Sequence, residues 1–382
     1  MKILYITTGC FDKGGISRYC RYQISALRSL YGASNVEALS LLGPDTHAFE
    51  SPFELAWHGR NGGFLDKAKL SLRALAHAVA ARPDAIHIAH VNLGPLAVHL
   101  NRMCGARTFL NVYGLEVWSS LSERRLRAMR AIDRVIADCH STGDYVFGAG
   151  MTTSEPDVIW DCVDLERFVP GECAPEILSK YGLPDKRQGF VVLSLGRLAK
   201  RAAHKGYDRL IEAIARARRR NSDIRLVIAG HGDDRPRLEQ LVERLGLADS
   251  VTFPGSISEE DLPDVYRSAS LFSLVSDRGE GRGEGIPLTP LEAMSCGTPI
   301  IVGNQDGSKE AVLDSDGGIA NGYVIDPFDL DEHARLIAEL AESPCLRKKM
   351  AFRARAVAEH AFGYARFVEQ HHVVYSRVYK PV

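Results

Sequence analysis

Short apolar runs with strand character alternate with amphipathic helical runs along almost the whole chain, and the alternation stops once and then starts again. The first series interleaves strand-like 2–7, 36–42, 85–88, 107–112 and 135–137 with helical 16–30, 68–81 and 96–103. A stretch rich in proline, aspartate and glutamate, 162–175, interrupts it. Strand-like 190–194, 224–229, 251–253, 271–275 and 299–302 then alternate with helical 207–219, 235–245, 262–268, 291–294 and 329–341. Strands joined through helices need crossover connections, which build parallel sheets. The restart implies two such sheets, so the expected fold is α/β with two Rossmann-like, doubly wound domains. A chain of 382 residues is long enough for two cores. The expected domains are 1–168 and 169–361, with the aromatic-rich helical stretch 362–382 packing back on the first.

Composition narrows the partners. Apolar residues make up 45% and charged residues 25% of the chain, as in globular proteins in water. The net charge of -1 gives no overall attraction to nucleic acid or membrane, so any such affinity must be local. No apolar run approaches the roughly 18 residues of a membrane span, and no secretory signal is visible. The eight cysteines are scattered without Cys-x-x-Cys spacing, which points to a reduced, cytoplasmic protein without a zinc site.

Ligands of open parallel sheets bind beyond the carboxyl ends of the strands. The most informative turn of this kind is 283–294, between a buried strand and an apolar helix. It combines Glu284 and Glu292 with Gly285, Ile286, Pro287 and Leu288 at a helix start. Backbone amides and the helix dipole there favour an anion, and the two carboxylates can accept hydrogen bonds from sugar hydroxyls. Thr289-x-x-Glu292 with Pro290 between also fits a capping box, a structural reason for Glu292. After strand 190–194 come Gly196, Arg197 and then Lys205, two cations at the same sheet edge that suit a diphosphate. Lys200, Arg201, His204 and Lys205 also fit a solvated basic loop. In the first domain Gly14 and Gly15 follow the first strand and permit close backbone approach. That turn lacks Gly-x-Gly-x-x-Gly, which disfavours a nicotinamide dehydrogenase.

Taken together, Gly196-Arg197-Leu198 with Lys205-Gly206, then Ala229-Gly230-His231-Gly232, Pro254-Gly255-Ser256-Ile257-Ser258, Glu284 through Glu292, Gly307-Ser308-Lys309-Glu310, and Val163 through Phe168 resemble the GT-B retaining glycosyltransferases of family 4. The resemblance implies two domains facing across a cleft, with a UDP- or GDP-sugar held mainly by the second. It implies Glu284 at the donor-sugar hydroxyls, Glu292 at the ribose, and Arg197 and Lys205 at the diphosphate. Backbone at Ser256 and Ile257 would receive the base, and Gly14 and Gly15 would approach from the first domain. It implies retention by same-face attack, with no metal or other cofactor and no protein nucleophile. Asp314-Ser315-Asp316 and Asp329-Leu330-Asp331 have the Asp-x-Asp form but fit turns and helix starts. An epimerase or phosphorylase of the same fold, and a non-catalytic nucleotide-sugar sensor, are the alternatives.

Two departures stand out. Where many family members carry His-Gly, this chain has Tyr113-Gly114, and tyrosine can donate a hydrogen bond but does not take a proton near neutral pH. Pro287 stands where glycine is common, removing one backbone donor. His90, Tyr113 and Glu116 are candidates for acceptor or sugar contacts. His87 and His90 fall on opposite faces of a strand, which argues against a metal pair. The basic run containing Arg124, Arg125, Arg127 and Arg130 is a solvated helix face or a peripheral contact with an anionic membrane. The expected activity is sugar transfer to a glycan or lipid-linked acceptor in cell-surface polysaccharide synthesis.

Overall fold

The computed structural model describes residues 1–11, 14–44, 55–279, 283–313 and 319–377. Two compact units divide them: residues 1–162 with 364–377, and residues 163–363. The described strands of the first unit are β1 (Ile3–Thr7), β2 (Val36–Ser40), β3 (Trp57–His58), β4 (Ala85–Ile88), β5 (Arg107–Val112), β6 (Arg134–Ala137) and β7 (Asp157–Val158). They form a parallel sheet in the order β3-β2-β1-β4-β5-β6-β7. The second unit has β8 (Phe190–Leu195), β9 (Ile224–Ala229), β10 (Val251–Gly255), β11 (Leu271–Leu274), β12 (Ile300–Gly303) and β13 (Gly322–Ile325), ordered β10-β9-β8-β11-β12-β13 and again parallel. In each sheet the order reverses beside the first strand, at β1/β4 and at β8/β11. Such a switch point splays the neighbouring connections to opposite faces and opens a crevice at the strands' carboxyl ends.

Both faces of each sheet are covered, which is why these strands are apolar runs rather than alternating ones. In β1, Ile3 and Tyr5 join a core with the Gly15–Tyr31 and Tyr364–Ser376 helices, while Leu4 and Ile6 join the core on the opposite face. In the second unit the Tyr207–Ala217 helix buries Tyr207, Leu210, Ile211 and Ile214, one stripe at helical spacing. Each buried leucine or isoleucine there stabilises the unit by about 1.5–3 kcal/mol.

The unit boundaries differ from 168/169 and 361/362. Val163 bridges to Gly363, its amide donates to the Phe362 carbonyl at 2.9 Å, and Phe168 is buried against Tyr266. These contacts place 163–168 in the second unit. The Tyr364–Ser376 helix belongs to the first, where Tyr375 stacks on Phe109 with ring centroids 4.2 Å apart. Asp314, Ser315 and Asp316 lie outside the described residues. Asp329 caps the Leu330–Glu342 helix by accepting from the Glu332 amide at 2.9 Å.

Candidate active site

The switch point of the second sheet gathers most of the residues singled out in that unit. After β8 the chain turns through Gly196, Arg197 and Leu198, forms a short 3-10 segment at Lys200–Lys205, and enters the Tyr207–Ala217 helix. After β11 it runs through Ser276 and Asp277 to Glu284 and the Leu288–Ser295 helix. Because β8 and β11 are neighbours, residues far apart in sequence meet here. Glu284 Oε1 accepts from Lys205 Nζ at 2.6 Å and from His204 Nε2 at 3.0 Å. Burial alone would push the Glu284 carboxyl up, but the Lys205 ammonium and His204 outweigh it and bring it down to about 2. Glu284 is therefore a fixed carboxylate acceptor and a poor proton donor at neutral pH. Arg197 is exposed at the same turn and pairs with no acidic side chain among the described residues.

The turns are held by backbone contacts that leave no room for side chains. Gly230, at φ +140°, lies so close to Gly196 that an added Cβ would sit 1.8 Å from the Gly196 carbonyl oxygen. A Cβ on Gly196 itself would meet the Tyr207 hydroxyl at 2.6 Å and the Lys205 side chain at 3.6 Å. Asp306, fully buried, accepts from the Glu284 amide at 2.9 Å and from Ser276 Oγ at 2.7 Å, and the Gly307 amide donates to the Glu284 carbonyl at 3.0 Å. Burial raises the Asp306 carboxyl to about 6. Neither Asp306 nor Tyr207 stands out in the sequence; for Asp306 the only signal was its place directly before the Gly307-Ser308-Lys309-Glu310 motif.

Several expectations are corrected. The lysine and histidine of the supposed solvated basic loop are not both solvent-facing: His204 is buried and Lys205 is half-buried on Glu284, whereas Lys200 and Arg201 are exposed. The capping box is not formed. The helix starts at Leu288 with Pro287 as its N-cap, which puts Pro290 at the third helical position, and no side chain caps it. Glu292 instead lies inside, 2% exposed, accepting from the Tyr266 hydroxyl at 2.6 Å. Prolines at 287 and 290 carry no N–H, so Leu288 and Thr289 supply the leading amides of this helix. Gly285 is half-buried and Ile286 buried beside them. Ser256 is exposed and Ile257 half-buried just past β10, two strands from β8.

In the first unit Gly14 is the N-cap of the Gly15–Tyr31 helix; both glycines are exposed, and the space above Gly15 is open. Tyr113 is placed otherwise than a sugar contact requires. Its hydroxyl faces the interior, accepting from Asn111 Nδ2 at 2.8 Å beside Cys20, and burial holds its pKa well above the usual value. Glu116 folds back so that Oε1 accepts from the Tyr113 amide at 2.6 Å, while Oε2 is buried without a partner, and burial raises its pKa. His90 Nδ1 accepts from the Asn92 amide at 3.2 Å; burial, with Arg125 nearby, lowers its pKa to about 4. A neutral His90 thus presents only Nε2–H. His87 is fully buried against Tyr375. The basic run forms the Glu123–Arg130 helix and divides: Arg127 and Arg130 donate to the carbonyls of Glu123 and Gly150, while the exposed Arg124 and Arg125 make no such contact among the described residues. No helix among the described residues is long and apolar enough to cross a membrane.

This pair of doubly wound sheets defines the class. Anabaena Alr3699/HepE, solved in complex with UDP, superposes with a TM-score of 0.77 at 20% identity over 99% of this chain and 100% of its own. Sucrose-phosphate synthase from Thermosynechococcus elongatus gives a TM-score of 0.76 at 21% identity, covering 99% of each chain. At such identities the likeness establishes the fold, which is the GT-B glycosyltransferase fold. Residues 176–357 match the family model described as "Glycosyl transferases group 1". A GDP-mannose-dependent alpha-(1-6)-phosphatidylinositol monomannoside mannosyltransferase of Mycolicibacterium smegmatis is 34% identical over 261 residues, 66% of this chain and 64% of that protein. The matched stretches span less than two thirds of the length of the curated relatives.

Proposed function

We propose that this protein transfers a sugar from a nucleotide-diphosphate donor to a hydroxyl of a glycan or lipid-linked acceptor, with retention and without a metal ion. The observation that carries the reading is the Lys205–Glu284 pair at the β8/β11 switch point, with exposed Arg197 on the same turn. Donor phosphate sits on Arg197, Lys205 and the Leu288–Ser295 helix start, while the ionised Glu284 accepts from sugar hydroxyls. As the bond from the sugar's anomeric carbon to phosphate breaks, negative charge grows on the leaving diphosphate. Preorganised cations stabilise that charge without a metal. The acceptor oxygen bonds to the anomeric carbon on the face being vacated, and its proton passes to the departing phosphate oxygen. The UDP of the Anabaena neighbour and the GDP-mannose dependence of the mycobacterial relative support UDP- or GDP-sugars as donors.

Peripheral contact with an anionic membrane, with Arg124 and Arg125 as its exposed cations, is part of the proposal. Flotation with anionic liposomes at low salt tests it, and failure to float removes it. The donor reading is tested by thermal shift with UDP-, GDP- and ADP-sugars, then by assignment of the product anomer with EDTA present. An inverted product would overturn retention, loss of turnover in EDTA would overturn metal independence, and no stabilisation by any nucleotide sugar would overturn the reading itself.

A further inference from the structure

Glu284 Oε1 takes two donors from one turn: Lys205 Nζ at 2.6 Å and, from the residue before it, His204 Nε2 at 3.0 Å. Sugar transfer as proposed above needs the lysine at the donor's phosphate, and an ammonium drawn to phosphate is drawn away from the carboxylate. His204 has no such second use. Its ring is 7% exposed, and its Nδ1 has no hydrogen-bond partner among the described residues. A carboxylate oxygen only accepts, so Nε2 carries the proton that meets Glu284.

The backbone of His204 is held independently of that contact. Its carbonyl accepts from the Asp277 amide at 2.8 Å and from Arg209 Nη2 at 3.2 Å, and the same guanidinium nitrogen pairs with Asp277 Oδ2 at 2.7 Å. These bonds clamp the segment after β8 to the exit of β11 without using Lys205 or Glu284. Gly206, at φ +70°, lets the chain leave the clamp for the Tyr207–Ala217 helix; a Cβ there would lie 2.6 Å from Arg209 Nη2 and 2.7 Å from the Val275 carbonyl oxygen. The Phe328 ring covers the Arg209 guanidinium, 5.1 Å from it. His204 is thus fixed at ring and backbone alike. Burial pushes the Glu284 carboxyl towards its neutral form, and a phosphate arriving nearby pushes the same way; with Lys205 engaged on that phosphate, the His204 hydrogen bond is what remains to oppose both.

We propose that His204 is a positioning residue for sugar transfer, holding Glu284 as an oriented carboxylate acceptor while Lys205 turns to the donor's phosphate. The assignment rests on the glycosyltransferase reading above. His204→Leu nearly keeps the volume and removes the donor; steady-state transfer by the folded variant, checked by circular dichroism, shows kcat lower by at least about tenfold. Isothermal titration with UDP or GDP shows affinity within about threefold of wild type, because the free nucleotide brings no sugar to Glu284. His204→Gln, whose amide donates from near the place of Nε2, recovers most of the turnover. His204→Ala repeats the removal should the leucine variant not fold. Wild-type turnover in the leucine or alanine variant, a glutamine variant as slow as these, or a loss of nucleotide affinity equal to the loss of turnover overturns the proposal. Failure of the glycosyltransferase reading shows separately, as the absence of any UDP- or GDP-sugar effect on the melting temperature of the wild-type protein.

Discussion

Lys205 Nζ and Glu284 Oε1 lie 2.6 Å apart, joining the turn after β8 to the turn after β11 across the switch point of the second sheet. The cation and the carboxylate proposed to hold phosphate and sugar hydroxyls thus form one unit. Each orients the other, and the Lys205 ammonium helps hold Glu284 ionised, so a donor would find both already placed.

The Tyr207 hydroxyl is buried without a hydrogen-bond partner among the described residues, directly beside Gly196. Removing a buried, unsatisfied hydroxyl costs no hydrogen bond, so Tyr207→Phe raises stability by up to about 1 kcal/mol. Gly196→Ala forces its methyl into that hydroxyl and lowers stability by about 1–3 kcal/mol. In the double variant most of this loss is recovered. Chemical denaturation of the three variants checks the cycle, and strictly additive effects would contradict the contact.

Glu284 governs one limb of the acid stability profile. Its carboxyl is lowered from 4.5 to about 2 in the folded state, so its contribution is present above about 4.5 and is lost as pH falls towards 2. A shift of this size corresponds to stability on the order of 3 kcal/mol. Thermal melts between pH 5 and 2 show a steeper fall for wild type than for Glu284→Gln, with the two curves converging at the acid end.

Asp306 acts with the opposite sign. Burial raises its carboxyl from 3.8 to about 6, so its contribution is complete below about 3.8 and is lost as pH rises through 6. The Asp306→Asn variant lacks this slope between pH 4 and 6. It also weakens the grip on the Glu284 amide and lowers turnover while leaving the nucleotide affinity of the free protein within about threefold, a split that kcat and the dissociation constant for UDP or GDP report.

Much of this architecture was legible in the chain because strands buried on both faces are written as continuous apolar runs. β1, β8 and β12 show it most fully. The two-residue strands β3 and β7 carry too little pattern to be seen, and the four-residue β13 is only half buried. Arg197, Lys205 and Glu284 could be read because each follows an apolar strand. Glu292 could not be placed, since a capping glutamate and a glutamate buried on Tyr266 look alike in sequence. Tyr113 turned inward because of Asn111 and of Cys20, a residue 93 positions away that no local pattern connects to it.

The most direct test of the site is steady-state sugar transfer by Lys205→Ala beside wild type, using the donor identified by thermal shift. Losing a fixed cation at the leaving group lowers kcat by about 100-fold or more, a barrier increase of about 3 kcal/mol, while circular dichroism shows the fold retained. Wild-type turnover in folded Lys205→Ala would contradict the assignment of the β8/β11 switch point as the catalytic site.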